Sequence, residues 1–493
     1  MHKIIRFLSA FLIFVSANAF ADVRLPALFS DNMVFQRETS VRVWGWADDG
    51  EKVTVNFRNQ QKSTRAKNGK WDVKLSSLKA GGPGFLKVTG ENFIQLTNVL
   101  VGEVWICSGQ SNMEWPLKNA FEGQAAIDAS SNSNLRLFVV PKLKANDIVS
   151  DVKSKWQQAN PETTPGFSAV GYYFGRDLQN ALGVPVGLIQ SDWGGSPAEV
   201  WMSEKVLGDN PRYKKEILDA YVAAGRNYRE ALAKFKSEKP EQGKNAPNAP
   251  WKPTELYNGM ISPLIPYTIK GAIWYQGESN AGRAEQYRIL FPDLIRGWRE
   301  DWCQGKFTFL AVQLAPFMAI KDQPGESAWA ELREAQLHAT QVLPNVGMAV
   351  ITDVGEPTDI HPKKKEPVGA RLALAARGIA YNEKIVYSGP IYRSMKVRGD
   401  RAILSFDHVG GGLVSRDGSL KGFAICGADQ KFVWANAVIE GDKIVVNSPA
   451  VAKPMAVRFG WADFPVVNLW NKEGLPASPF RTDDFPMTTA SKK

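Results

Sequence analysis

Apolar positions follow two different patterns along this chain. From residue 22 to about 100 they alternate with polar ones: Val41, Val43, then Val53, Val55, Phe57, then Trp71, Val73, Leu75 after the turn signal Asn68-Gly69. Period two with turn residues between the runs predicts short antiparallel strands in a small sandwich. From about residue 100 the pattern changes. Continuous apolar runs at Val99 to Ile106, Val186 to Gln190, Gly271 to Tyr275, Phe307 to Leu314 and Met348 to Thr352 have strand length. Helical periodicity lies between them. One helix is expected from Ser168, with Val170, Tyr173, Phe174, Leu178 and Leu182 on its apolar stripe and Gly183 as its stop. Others are expected at about 283–298, 330–342 and 364–376. Strands alternating with helices predict a doubly wound parallel sheet with helices on both faces, whose ligand sites lie beyond the carboxyl ends of the strands. A polar helical stretch from 203, followed by a Pro/Asn/Lys-rich loop to 250, is expected as an insertion, either a solvated helical hairpin or a lid. From about 385 the chain returns to β. The expected organisation is therefore a β domain at 22–99, an α/β domain at 100–384 with its insertion at 203–250, and a β region at 385–493.

The first 21 residues stand apart from this pattern. Lys3 and Arg6 precede a short apolar run from Phe7 to Val15, and Ala19-Phe20-Ala21 places small residues where a signal peptidase cuts. A secretory signal peptide at 1–21 is expected, with export to the periplasm or the medium. The run is shorter than the roughly 20 residues that span a bilayer, and no membrane association is expected after cleavage.

Composition narrows the chemistry. The chain has 60 Lys plus Arg against 50 Asp plus Glu, a formal charge of +10, which falls by two with the leader. Apart from Lys363-Lys364-Lys365 the basic residues are scattered, which argues against nucleic acid as a partner. Three Cys (Cys107, Cys303, Cys426) exclude a disulfide framework, and four His leave no ligand set for a metal cluster, so neither metal nor cofactor is expected.

The richest stretch runs from Val101 to Trp115 and contains Ser108-Gly109-Gln110-Ser111-Asn112-Met113. Here an apolar strand enters a sharp turn, and a serine at its end can act as a nucleophile, its own N–H facing a developing oxyanion. An N-cap role for Ser111 or Ser108 fits the same spacing. A nucleophilic serine needs a base, and the candidates outside the leader are three. His338 falls inside an apolar helix and His408 in a β region before Gly410-Gly411-Gly412. His361 follows a strand of the predicted sheet, two residues after Asp359, which favours it as the base with Asp359 as its orienting acid. Two further strand-end loops are candidates for the same site: 191–197, with Gly194 and Gly195, and 276–280, with the amides of Gln276 and Asn280.

Four ordered motifs carry a family resemblance. Gly109-Gln110-Ser111-Asn112-Met113, the stretch from Trp193 to Trp201, that from Trp274 to Asn280, and Asp359-Ile360-His361-Pro362 are similar to the sialate O-acetylesterase family of SGNH hydrolases. The resemblance extends to the ending at 460–465. It implies an SGNH-like α/β fold with flanking β regions, Ser111 as nucleophile, His361 as general base, and an oxyanion hole from the Ser111 N–H, a Gly194 or Gly195 N–H and an amide of the third loop, Gln276 preferred over Asn280. The acid is Asp359, Asp353 or absent, since the family places Asp three residues before His. The implied substrate is an O-acetylated sugar or oligosaccharide, sialic acid or an acetylated hemicellulose such as xylan or xyloglucan, with Arg371 and Arg283 near the motifs as candidates for a sugar carboxylate. A reading of another class, a non-catalytic carbohydrate-binding protein, rests on two β regions and 16 Trp.

Overall fold

The computed structural model describes residues 22–238 and 245–490. The expected leader at 1–21 lies outside the described residues, as does part of the 203–250 insertion. The centre of the molecule is a parallel sheet whose strands are β1 (Phe93–Gly109), β2 (Asn132–Val139), β3 (Val186–Asp192), β4 (Gly271–Tyr275), β5 (Thr308–Val312) and β6 (Val346–Ala349), in the spatial order β6-β5-β4-β1-β3-β2. The chain leaves β1 in one direction to build β2 and β3, and later in the other to build β4, β5 and β6. The strand order therefore reverses at β1, the position at which open α/β sheets place their ligand sites.

β1 also explains why the chain shows two hydropathy patterns. Its first six residues alternate in exposure, while all eleven from Val99 onward are buried. The first half pairs antiparallel with Gly81–Thr89 and the second half parallel with β3 and β4. The boundary expected between 99 and 100 therefore cuts a single 17-residue strand. The change of pattern is real, but it marks burial on one face giving way to burial on both. The N-terminal region is likewise mixed and not purely antiparallel, because Val34–Gln36 pairs parallel with β1.

The helices over the sheet follow α1 (Ser111–Glu114), a single turn after β1. They are α2 (Ala169–Leu182), α3 (Ala284–Trp302), α4 (Ala328–Val342) and α5 (Glu366–Ile379). α2 begins and ends as its signals predict, with Ser168 Oγ accepting from the Gly171 N–H at 3.0 Å and Gly183 left-handed. One face of the sheet packs Val170 and Phe174 of α2 with Leu372 and Ala376 of α5. The other packs Leu290, Phe291 and Trp298 of α3 with Leu332 and Ala335 of α4. Strand β2 is not among the expected apolar runs, because Asn132, Ser133, Asn134 and the buried Arg136 break its apolar pattern.

The stretch after 203 forms several short helical turns and then an 18-residue helix, Ala220–Ser237, with no buried residue. After α5 the chain builds two four-stranded antiparallel sheets and a two-stranded one around Leu404, Phe406, Ile425, Val457 and Phe459. That region is fixed to α4 by the buried Arg333, which donates to the carbonyls of Leu314, Ala315, Ala462 and Asp463 at 2.7–3.0 Å. Among the described residues no helix is long and apolar enough to cross a membrane.

α2 and α5 meet at Gly369, where a Cβ would lie 2.6 Å from Tyr173 Cβ and 2.7 Å from the Phe174 backbone nitrogen. An interior helical Gly→Ala change ordinarily stabilises by about 1 kcal/mol. Here backbone has to move, so Gly369→Ala is expected to destabilise by about 1–3 kcal/mol in urea denaturation; a stabilising effect would refute the close packing.

Candidate active site

Hydrogen-bond register places three loops side by side. Gly109, the last residue of β1, is opposite Asp192 at the end of β3 and Tyr275 at the end of β4. The chains that follow, 110–115, 193–197 and 276–280, therefore emerge together. Gly109 is required at this point: its φ is +141°, and a Cβ would lie 2.2 Å from the Tyr275 carbonyl oxygen. The Gln110 N–H then donates to that oxygen at 3.0 Å. Ser111 opens α1, whose N-cap is Gln110 without a side-chain cap bond. Ser111 is thus the first residue of the turn and not its cap. A four-residue turn carries little macrodipole, so the help expected from a following helix reduces to the orphan N–H groups of its first turn.

His361 reaches this point from the far edge of the sheet. The chain leaves β6, two strands from β4, and crosses the strand ends before entering α5. Packing of α5 against α2 holds the end of that crossing close to β1. His361 Nε2 lies 2.9 Å from Ser111 Oγ. The imidazole is stacked on Trp115, with centroids 5.3 Å apart and planes at 19°. Asp359 Oδ1 accepts the His361 backbone N–H at 2.8 Å, an Asx turn that shapes the loop. The same oxygen is 3.6 Å from Nδ1, longer than a hydrogen bond. Asp353 is engaged elsewhere, bidentate to Arg371 at 2.6 and 2.8 Å. His338 lies within α4, and His408 packs edge-on against Tyr387 in the C-terminal region.

The second loop faces Ser111 closely: a Cβ on Gly194 would be 3.3 Å from Ser111 Cβ. In this structure the Gly194 N–H donates to Glu114 Oε2 at 2.6 Å, and the other oxygen of Glu114 accepts from Lys142 Nζ at 2.5 Å. Gly195 is left-handed, at φ +74°. The third loop differs from expectation. Gln276 is fully buried, its amide donates to the Ser196 carbonyl at 3.3 Å and Asn280 Oδ1 at 2.7 Å, and its oxygen accepts from the Tyr287 hydroxyl at 3.0 Å. Asn280 Nδ2 donates to Glu199 Oε2 at 3.0 Å. In this structure both amides are engaged by each other and by the 193–199 loop, and neither is turned to Ser111 by any hydrogen bond. Arg371 and Arg283 are likewise committed, the latter to Glu199 at 2.7 Å, so neither is free for a sugar carboxylate.

Burial pushes several titratable groups here toward neutrality. Asp192, beneath the second loop, is raised to about 8 by burial, with Glu114 adding to the rise and a hydrogen bond from Gln190 opposing it. Burial raises Glu278 and pulls Lys365 down to about 7. His361 is lowered from its ordinary value, first by burial and then by Lys365, against Asp359. The run Lys363-Lys364-Lys365 divides accordingly: the first two side chains are exposed and the third is fully buried. Sequence reasoning passed over Lys365, Asn112, Glu114 and Glu278, because charge runs and amides on turns are ordinarily solvated. A lysine closing a loop that carries the candidate base was the signal available. Among the described residues no group of His, Cys, Asp and Glu could hold a metal ion.

Comparison with known proteins agrees with this arrangement. Residues 241–377 match a family model described as carbohydrate esterase, sialic acid-specific acetylesterase. The sialate O-acetylesterase of Rattus norvegicus is 30% identical over 94% of this chain and 95% of its own length, and that of Homo sapiens 29% over 93% and 92%. The crystal structure of a carbohydrate acetylesterase from Xanthomonas citri is 42% identical, with a TM-score of 0.83, and covers 94% of this chain and all of that one. The chain belongs to the sialate O-acetylesterase family of carbohydrate esterases and is a carboxylic ester hydrolase.

Proposed function

We propose that this enzyme removes O-acetyl groups from sugars by acyl transfer through Ser111 and His361. The observation that carries the reading is the 2.9 Å contact between Ser111 Oγ and His361 Nε2 at the reversal point of the sheet. Ser111 Oγ attacks the acetyl carbonyl carbon while His361 Nε2 takes its proton. The bond from carbonyl carbon to sugar oxygen breaks, and His361 returns the proton to the departing sugar hydroxyl. Water then attacks the acetyl-serine, again with His361 as base, and acetate leaves as Ser111 is reprotonated. Asp359 acts by fixing the loop through the His361 N–H, while Asp353 holds Arg371. Donors to the oxyanion are the Ser111 N–H and the N–H of Gly194 or Gly195. The Gly194 N–H already donates to a carboxylate oxygen of Glu114, which supports its donating to an anionic oxygen. The ester oxygen takes its place on Gly194 as substrate enters, and Lys142 retains Glu114.

Support for a sugar comes from the family and from the aromatic rim. Trp193 and Trp251 meet edge to face at 5.6 Å beside Gly194, with Lys142 and Lys144 over their rings. Tryptophan faces of this kind suit sugar rings. The 42% identity to a carbohydrate acetylesterase favours a carbohydrate O-acetylesterase over a sialate-restricted one. Export through a leader at 1–21 is part of the same proposal, since polymeric acetylated glycans lie outside the cell. Acetate release from acetylated neuraminic acid, xylan and xyloglucan oligosaccharides compares the substrate classes directly.

Ser111→Ala or His361→Ala is expected to lower acetate release by about 10⁴ or more, and a fluorophosphonate probe to label the wild type at Ser111 with one equivalent. Sugar binding without labelling would favour the non-catalytic carbohydrate-binding reading. The base must be neutral to accept a proton, and His361 is lowered from its ordinary value of 6.5. The acid limb of kcat/KM is therefore expected below pH 6.5, activity rising as pH increases through it. A limb above 7 would contradict this environment.

A further inference from the structure

Lys365 is the least expected residue near the site. Its side chain is fully buried, at 0% exposure, where lysine is rarely found without an ion pair. Its Nζ donates to Asn112 Oδ1 and otherwise faces the rings of Tyr275 and Trp115, at 5.4 and 5.7 Å. Asn112 directly follows Ser111 and is itself buried, at 1%. Because Lys365 donates to its oxygen, the amide is forced into one orientation, with Nδ2 toward Glu278 Oε1 at 2.6 Å and the Ile360 carbonyl at 3.0 Å. Ile360 is the residue before His361. One amide thus joins the serine turn, the histidine loop and the third loop, its Nδ2 held by the Ile360 carbonyl and Glu278 and its buried oxygen by Lys365.

We propose that Lys365 is a positioning residue of this esterase site: through Asn112 it ties the loop carrying His361 to the turn carrying Ser111, and it places a cation against the same Trp115 ring on which His361 is stacked. This rests on the Ser111–His361 reading above. The imidazole meets Asp359 on its own loop and the Ser111 hydroxyl and Trp115 from the α1 turn, with Lys365 at the head of α5 as the nearby cation; Glu356 on the same loop acts on Lys365. Glu278 lies behind Asn112 on the β4 loop, and Glu114 is held by Gly194 and Lys142. Burial pulls Lys365 down to about 7, with Glu278, Asp359 and Glu356 opposing the fall. A cation there disfavours the imidazolium and preserves the neutral base.

Lys365→Gln keeps a donor for Asn112 and removes the charge; Lys365→Arg keeps the charge; Lys365→Met removes both. In Lys365→Gln and Lys365→Met the acid limb of kcat/KM is expected to move up by at least about half a pH unit. Titration of the His361 ring followed by NMR should move by the same amount. Plateau kcat in Lys365→Met is expected to fall by about tenfold or more as the buried Asn112 oxygen loses its donor, with a smaller loss in Lys365→Gln. Lys365→Arg should leave the limb in place. An unmoved limb and an unmoved ring titration in the neutral variants, with activity reduced equally at all pH values, would overturn the proposal. So would a limb shift in Lys365→Arg as large as in Lys365→Gln. The NMR titration reads the charge effect without catalysis. If Ser111→Ala kept full acetate release, the catalytic reading would fail, while the ring titration would still decide for or against Lys365.

Discussion

Everything at the site depends on the parallel ladder around β1. Because β3 and β4 are hydrogen-bonded to its two sides in a register that brings Asp192 and Tyr275 opposite Gly109, three loops leave the sheet at one point. A slip of one residue in either ladder would turn alternate side chains to the opposite face and separate those loops. The ladder is held on both faces by apolar contacts, so the register is fixed by burial and the loops inherit its precision. Gly109 allows the closest approach, with its backbone against the Tyr275 carbonyl where any side chain would collide.

The other half of the site is placed by helix packing. His361 leaves from the edge of the sheet and would be remote from β1 if its loop were free. The loop is closed at its far end by α5, which meets α2 without side-chain spacing at Gly369. α2 is in turn fixed to the serine turn, since Ser168 Oγ donates to the Met113 carbonyl at 2.5 Å. The distance from Ser111 to His361 is therefore set through two connected supports, the strand ladder and the α2–α5 contact.

Much of this was legible in the sequence, for identifiable reasons. Buried parallel strands read as continuous apolar runs, so β3, β4 and β5 were found close to their observed limits, and α2 carries both a cap serine and a stop glycine. The β domain boundary was misplaced because hydropathy changes when burial changes, and in β1 it changes midway along one strand. Ser111 and His361, which the fold brings to 2.9 Å of each other, were both singled out in the sequence, the first by its motif and the second among three histidines. Hydrogen-bond direction was not legible. Gln276 and Asn280 have the right chemistry for an oxyanion hole, yet both face inward to the 193–199 loop, because a buried amide must satisfy its own donors and acceptors first. Glu114 was invisible for the opposite reason: its role depends on a backbone N–H eighty residues away.

The distribution of buried charge separates support from chemistry. Arg333 and Arg458 are buried, and each has several partners: four carbonyls for the first, and Asp483 with Glu326 for the second. Such groups lock the C-terminal region to the α/β core, with every bond of Arg333 made to a backbone carbonyl and Arg458 paired with carboxylates. Asp192, Glu278 and Lys365 are different. Asp192 and Glu278 each keep one buried oxygen without a hydrogen bond, and Lys365 has a single acceptor for three donors. Burying a charge so poorly matched costs stability. All three lie under the loops that meet at β1, where the proposed mechanism needs a neutral base and a place for an oxyanion. Poorly matched buried charges gathered at one point of a fold are a mark of functional sites, and these three gather beside the proposed Ser111–His361 pair.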